Sequence, residues 1–300
     1  TQVSSTFDSY WNSPYAVPAS AVVRKRKQDL SLDDAQKRMA ELAAAARGTP
    51  YGSALEHSIR EGFISQRFGL RWVPARLVAD PPEKAAGIAD ADSLVVGAMR
   101  PYVLGAEEEL VVSSAYFVPS DGTVSALSGL AERGVSVSIL TNSISSTDVF
   151  PVYSHYATKR KDLLAGGVDL WELRPDGDRE DRSRLGLGQS QSSLHMKAFV
   201  IDRKYVFVGS FNWDPRSAWT NNEMGVLIRS EALAGDALRR FEQSRAVSAY
   251  QLSLDKDGDI DWRTTRDDGA GLLYPSEPDR SVWTSLLSGI LAALPIESLL

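Results

Sequence analysis

Cysteine is absent from this chain of 300 residues, and histidine occurs only three times, at His57, His155 and His195. Without thiols there is no disulfide, no thiolate metal site and no cysteine nucleophile. Three histidines are too few for a histidine-rich metal centre. No apolar run reaches the roughly 18–20 residues that a spanning helix needs, so any membrane contact is expected to be peripheral. A basic surplus is missing too: the net charge is −6, which argues against broad electrostatic capture of nucleic acid. What is present is an ordinary globular composition, 43% hydrophobic and 24% charged, enough for one large domain or two small ones.

The chain is organised around residues 193–212. Two apolar runs rich in β-branched and aromatic residues, 194–202 and 205–212, flank the polar pair Arg203 and Lys204, the pattern of a β-hairpin. Residues two apart on a strand share a face, so His195 and Lys197 point the same way, as do Ser210 and Asn212 on the returning strand. An imidazole that can attack or donate a proton near neutral pH therefore sits beside a fixed ammonium charge. A hydroxyl and an amide able to hydrogen-bond phosphate oxygens complete a set suited to phosphoryl transfer without a metal. Asp202 falls on the opposite parity from Lys197 and reads as a turn residue making local hydrogen bonds.

The spacing His195-x-Lys197-x4-Asp202, followed by Gly209-Ser210-x-Asn212 and by Glu223 on the next strand, resembles the HKD motif of the phospholipase D superfamily. The resemblance implies a catalytic set of His195, Lys197, Asp202 and Glu223. It implies phosphate binding by Lys197, Ser210 and Asn212, and no cofactor or metal. The implied reaction passes through a phosphohistidine, with one motif histidine attacking phosphorus and a second protonating the leaving alkoxide. Since the first-half histidine is usually the nucleophile in two-motif members, His195 would be the general acid and base. Glu223 would orient an active-site imidazole. His57 and His155 have no lysine two residues on, so neither supplies a second motif.

The opening residues Phe7, Asp8, Tyr10, Trp11, Asn12 and Ser13 resemble the segment after the first HKD half of bacterial cardiolipin synthases, the type C branch most closely. The aromatic and apolar C-terminal segment leading into Leu294, Pro295, Ile296 and Glu297 resembles the end of that branch. The expectation is therefore the second catalytic half of a phosphatidyltransferase, its first half and native N-terminus lying before Thr1. Its substrate would be a phospholipid such as phosphatidylglycerol or phosphatidylethanolamine. Its partner would be the missing half or a second copy of the chain, at the periphery of a bacterial inner membrane. The rival readings are a phosphodiesterase or nuclease on the same fold, with nucleic acid disfavoured by charge, and an inactive half that needs its partner.

The remaining sequence divides into a linker and helical segment over 1–83 and a phospholipase D-like domain over 84–300. In the first, the cluster Arg24, Lys25, Arg26 and Lys27 reads as a solvated linker or a patch for anionic headgroups. Ser31 caps a helix over 31–47, residues 53–68 form a weaker helical stretch, and residues 71–80 read as a strand interrupted by Pro74. In the second, helices over 94–104, 122–133, 153–165 and 231–245 alternate with strands over 110–119, 135–141, 168–173 and 223–229. This pattern gives an α/β fold: a mixed sheet flanked by helices on both faces. Tyr116 and Phe117 are either pocket walls or core aromatics. The loop 141–152 lies where open α/β sheets place ligands, with His155 beyond it as headgroup contact or surface residue. Residues 176–191 read as a lid, and 255–268 as a loosened, charged segment. Trp283, Leu286, Leu287, Ile290, Leu291 and Leu294 form one apolar face of a final helix, for packing on the domain, on a partner or on a membrane interface.

Overall fold

Among the described residues, ten strands form one continuous sheet in the order β1-β7-β6-β5-β2-β3-β4-β8-β9-β10 in a computed structural model of the chain. The structure describes residues 1–22, 31–49, 52–53, 57, 71–174, 193–265, 269–294 and 296. The basic cluster 24–27, most of the weak helical stretch 53–68, the lid segment 176–191 and Pro295 lie outside the described residues. By internal contacts the chain forms two units, one of residues 16–73 and the other of 1–15 with 74–300. The smaller unit contains α2 (Ala19–Val22) and α3 (Leu32–Arg47). The latter starts where Ser31 accepts from the Asp34 N–H, and it buries none of its residues.

In the larger unit the strands are β1 (Ala75–Ala79), β2 (Glu109–Ser114), β3 (Ser136–Asn142), β4 (Asp169–Leu173), β5 (Lys197–Ile201), β6 (Tyr205–Gly209), β7 (Met224–Arg229), β8 (Ala249–Leu254), β9 (Ile260–Thr265) and β10 (Gly271–Tyr274). β2, β3 and β4 run parallel, and every other pairing is antiparallel. Parallel neighbours need crossover helices, and the chain supplies them as α5 (Asp121–Glu132) and α6 (Phe150–Ala165). These two, with α4 (Val95–Leu104), cover one face of the sheet through Leu127, Leu130, Tyr153, Tyr156, Leu163, Val95 and Met99. The opposite face is covered by α8 (Glu231–Ser248), whose Ala234, Leu238 and Phe241 pack on Val111, Leu140, Val200 and Val206. The fold is thus α/β with helices on both faces, as its alternation of elements predicts.

Four boundaries differ from the sequence reading for physical reasons. Strand β1 begins after Pro74, which has no N–H to give to a ladder, and it pairs with β7, so the sheet reaches back before residue 84. β2 ends at Ser114, and Phe117 goes on into the core with no exposure while Tyr116 turns towards β5. The hairpin turn is made by Asp202 and Arg203, at φ 51° and 53°, closed by a Lys204 N–H bond to the Ile201 carbonyl. Two successive left-handed residues give the twist that a tight hairpin needs, and aspartate tolerates that region. Finally, the charged stretch after residue 248 is not loose. Its strands β8 and β9 form a hairpin around Asp255, whose carboxylate accepts from the Asp257 and Asp259 N–H groups.

Two further helices bear on function. The short α7 (Pro215–Trp219) follows β6, and α9 (Val282–Ala292) packs against α6. The N-terminal α1 (Gln2–Trp11) lies along β1, where the Gln2 side chain accepts from the Leu77 N–H.

Candidate active site

Lys197 opens β5 opposite Ser114 of β2, and the ladder continues one step beyond as the Ala115 N–H donates to the Met196 carbonyl. His195 therefore sits just outside the strand, exposed, while Lys197 is buried. The Lys197 ammonium lies 3.5 Å from His195 Nδ1 and donates to the His195 carbonyl at 3.1 Å. It also sits 5.6 Å from the centre of the Tyr116 ring, a cation–π arrangement. Burial draws the Lys197 ammonium below its ordinary value, and the Glu223, Asp148 and Asp214 carboxylates oppose that pull. Tyr116 is pushed up to about 12 by burial and by its bond to Asp148 at 3.0 Å, so its hydroxyl keeps its proton.

The returning strand brings the next pair. β6 and β7 meet through Gly209 opposite Gly225, and a Cβ on Gly209 would strike the Met224 carbonyl and the Gly225 Cα. Glycine lets the two backbones close up at the step before Ser210. Ser210 Oγ donates to Glu223, whose other oxygen accepts from Ser217 Oγ at 2.9 Å. Asn212 is buried, with Oδ1 accepting from the Tyr116 N–H at 3.3 Å, and its Nδ2 makes no hydrogen bond among the described residues.

Several residues that sequence reasoning missed hold this group in place. Asn142, at the end of β3, clamps the residue before His195: its Oδ1 accepts from the Leu194 N–H at 2.9 Å and its Nδ2 donates to the Leu194 carbonyl at 3.1 Å. Under Glu223 lies a buried ion pair of Asp80 and Lys84, in which Asp80 accepts from the Glu223 N–H and Lys84 donates to the Ser217 carbonyl at 2.7 Å. Asp214 caps α7 by accepting from the Ser217 N–H, and burial pushes its carboxyl up to about 6. The i,i+4 spacing of Asp80 and Lys84 was visible, but only the sheet puts them beneath Glu223.

Five of the six motif residues thus belong to one neighbourhood. The sixth, Asp202, does not: it sits in the turn at the other end of β5, where its carboxylate accepts from the N–H groups of Glu107, Glu108 and Glu109. It ties the hairpin tip to the entry of β2, at the end of β5 away from His195 and Lys197. His155 is also corrected, being buried in α6 rather than on its surface.

Residues 102–245 match the family described as cardiolipin synthase, PLD-like domain. Cardiolipin synthase C of Escherichia coli is 41% identical over 235 residues, covering 77% of this chain and 49% of that protein. Cardiolipin synthase A of Proteus mirabilis is 33% identical over 172 residues, 57% of this chain and 32% of that protein. The chain spans about half the length of the first of these relatives or less of the second. A solved structure, the phospholipase D family member Nuc from Salmonella typhimurium, aligns with TM-score 0.44 at 17% identity, over 61% of this chain and 99% of that one. The matched domain contains the whole hairpin with His195, Lys197, Ser210, Asn212 and Glu223, and the chain belongs to the phospholipase D superfamily.

Proposed function

We propose that this chain is one catalytic half of a phosphatidyltransferase that makes cardiolipin from phosphatidylglycerol or a related phospholipid. The observation that carries the reading is the pairing of an exposed His195 imidazole with a buried Lys197 ammonium, on a domain matched to cardiolipin synthases. In the first step a histidine nitrogen attacks phosphorus, the bond to the departing alcohol breaks, and a second histidine gives that alkoxide its proton. In the second step an acceptor alcohol passes its proton to that same second histidine and attacks phosphorus. The phosphorus–nitrogen bond then breaks.

His195 fits the proton-transferring role, with the attacking histidine supplied by a companion half. Lys197 and the Nδ2 of Asn212 would stabilise charge on the phosphoryl oxygens, and Ser210 would pass the orientation of Glu223 to the same point. The surroundings suit a companion: Met196, Val208, Trp219 and Met224 are large apolar side chains left exposed beside these residues. The net charge of −6 disfavours nucleic acid as the substrate, and the relatives' names point to lipid.

The test is phosphatidylglycerol turnover by the chain, alone and supplied with a companion HKD half, with cardiolipin separated from phosphatidic acid. Cardiolipin should form in the paired sample and disappear in His195→Ala. Phosphatidic acid as the sole product would replace transfer by hydrolysis, and salt-sensitive DNA cleavage without lipid turnover would sink the lipid reading altogether.

A further inference from the structure

The C-terminal helix α9 is seated the wrong way round for a helix that merely completes a core. Its buried side chain is Ser288, 5% exposed, whereas Trp283 is 79%, Leu286 56% and Ile290 53% exposed, with Val282, Leu287 and Leu294 also open. An amphipathic helix on a water-soluble domain ordinarily buries its apolar stripe and shows its polar one. Here the hydroxyl-bearing side rests on the protein, and the stripe of large apolar side chains faces outward. No charged residue occurs from Ser281 to Ile296.

This seat is fixed. Ser281 and Thr284 form a reciprocal capping box, and Arg280, bonded to Glu277 at 3.2 Å, donates to Ser285 at 2.9 Å. Asp279, one residue before Arg280, accepts from Ser145 at 3.1 Å. Ser145 belongs to the loop after β3, the same loop whose Asp148 holds Tyr116 over Lys197, so α9 begins beside the catalytic neighbourhood.

The exposed apolar residue of β6 beside the site lies apart from the stripe. The exposed Val208 shares its parity on β6 with Val206, which faces α8, whereas α9 rests on α6 across the sheet. A helix of 11 residues is about 16 Å long and too short to span a bilayer, so it would lie in the interface plane. We propose that the apolar stripe of α9 docks the protein on a lipid surface and so presents bilayer-held substrate to His195. This rests on the phosphatidyl-transfer reading for the substrate, but the docking itself requires no turnover.

Because the stripe carries no cation, the binding is hydrophobic and should survive high salt, unlike adsorption through a basic patch. The full 300-residue chain should float with vesicles of phosphatidylethanolamine and phosphatidylglycerol, and the Leu286→Ser/Ile290→Ser variant should partition at least about tenfold less. The substituted side chains are exposed, so the variant should melt with the parent and, supplied with the companion half, turn over short-chain, monomeric phosphatidylglycerol at the parental rate. As a second readout, bromine-labelled acyl chains should quench Trp283 fluorescence, a loss absent in Trp283→Phe. Equal flotation of parent and variant would overturn the proposal, as would no flotation, flotation abolished by salt, a lipid-free dimer dissolved by the variant, or a companion half that binds the parent and not the variant. His195→Ala must float like the parent. A chain that floats but makes no product even with the companion half therefore fails the catalytic reading alone, and one that with its companion is active on monomeric lipid but does not float fails only the docking.

Discussion

At Asp202 one carboxylate oxygen accepts from three consecutive backbone N–H groups, those of Glu107, Glu108 and Glu109, at 3.0, 2.8 and 3.1 Å. Charge-assisted bonds of this kind are a folding device, and the residue lies at the far end of β5 from the imidazole. Asp202→Ala should therefore lower unfolding stability by roughly 1–3 kcal/mol in a urea titration, with kcat changed only a few-fold. Lys197→Met should show the reverse: a kcat lower by about 10²–10³ and an unfolding midpoint close to the parent's. Asp214 carries a pH signature. Burial pushes its carboxyl up to about 6 in the fold from an ordinary value of 3.8, so between those pH values the folded state holds the extra proton. Stability contributed by this group is then full below its unfolded value and falls by up to about 3 kcal/mol as pH rises to 6, levelling above it. The stability difference between the parent and Asp214→Asn, followed by denaturant melts from pH 4 to about 7, should show that slope.

Among the elements, β8, β9 and β10 show best why part of the fold was hard to read. The inward residues Tyr250, Leu252 and Trp262 alternate with polar neighbours as strand residues should, but aspartates, lysine and glycine at the hairpin between them obscure the pattern. What fastens these strands is also not local. Arg160 of α6 reaches Glu172 on β4 at 3.0 Å and Glu277 after β10 at 2.8 Å, while the Trp262 indole donates to Glu172 at 3.0 Å. The guanidinium lies 5.4 Å from the centres of both the Tyr153 and Trp262 rings. Removing the cation would take the ion-pair partner from buried Glu172 and leave Glu277 with Arg280 alone, so Arg160→Met should cost on the order of 3–5 kcal/mol by denaturant melt. Adding Glu172→Gln and Glu277→Gln should recover part of that loss, which a purely steric role for Arg160 would not allow.

For the whole molecule, the sheet sorts its two faces towards different neighbours. One face carries α4, α5 and α6 with α9 beyond them, and the other carries α8 and, past its edge, the exposed apolar residues beside the site. If a companion half closes that second surface, specific activity should depend on how much companion is present. Titrating the companion half into a fixed amount of this chain should raise cardiolipin formation to a plateau at equal amounts, and His195→Ala chain added in excess should compete for the companion and depress it. A rate unaffected by either addition would mean that the site is complete within one chain.

The sequence by itself determined the residue set of the candidate site and the layering: residue types two apart on a hairpin, the pair Ser210 and Asn212 after Gly209, Glu223 on the next strand, and the strand and helix alternation that makes an α/β sheet. These are short-range facts, fixed by the period of the backbone and by side-chain chemistry, so they can be read without coordinates. Only the tertiary structure decided that Asp202 is an anchor, that Asp80 and Lys84 support Glu223 from 143 and 139 residues away in sequence, and that His155 is buried. It alone decided which way the stripe on α9 faces. Periodicity shows that a helix has two unlike sides, but which side turns inward depends on what the rest of the chain places against it. For α9 that is the packing surface of α6.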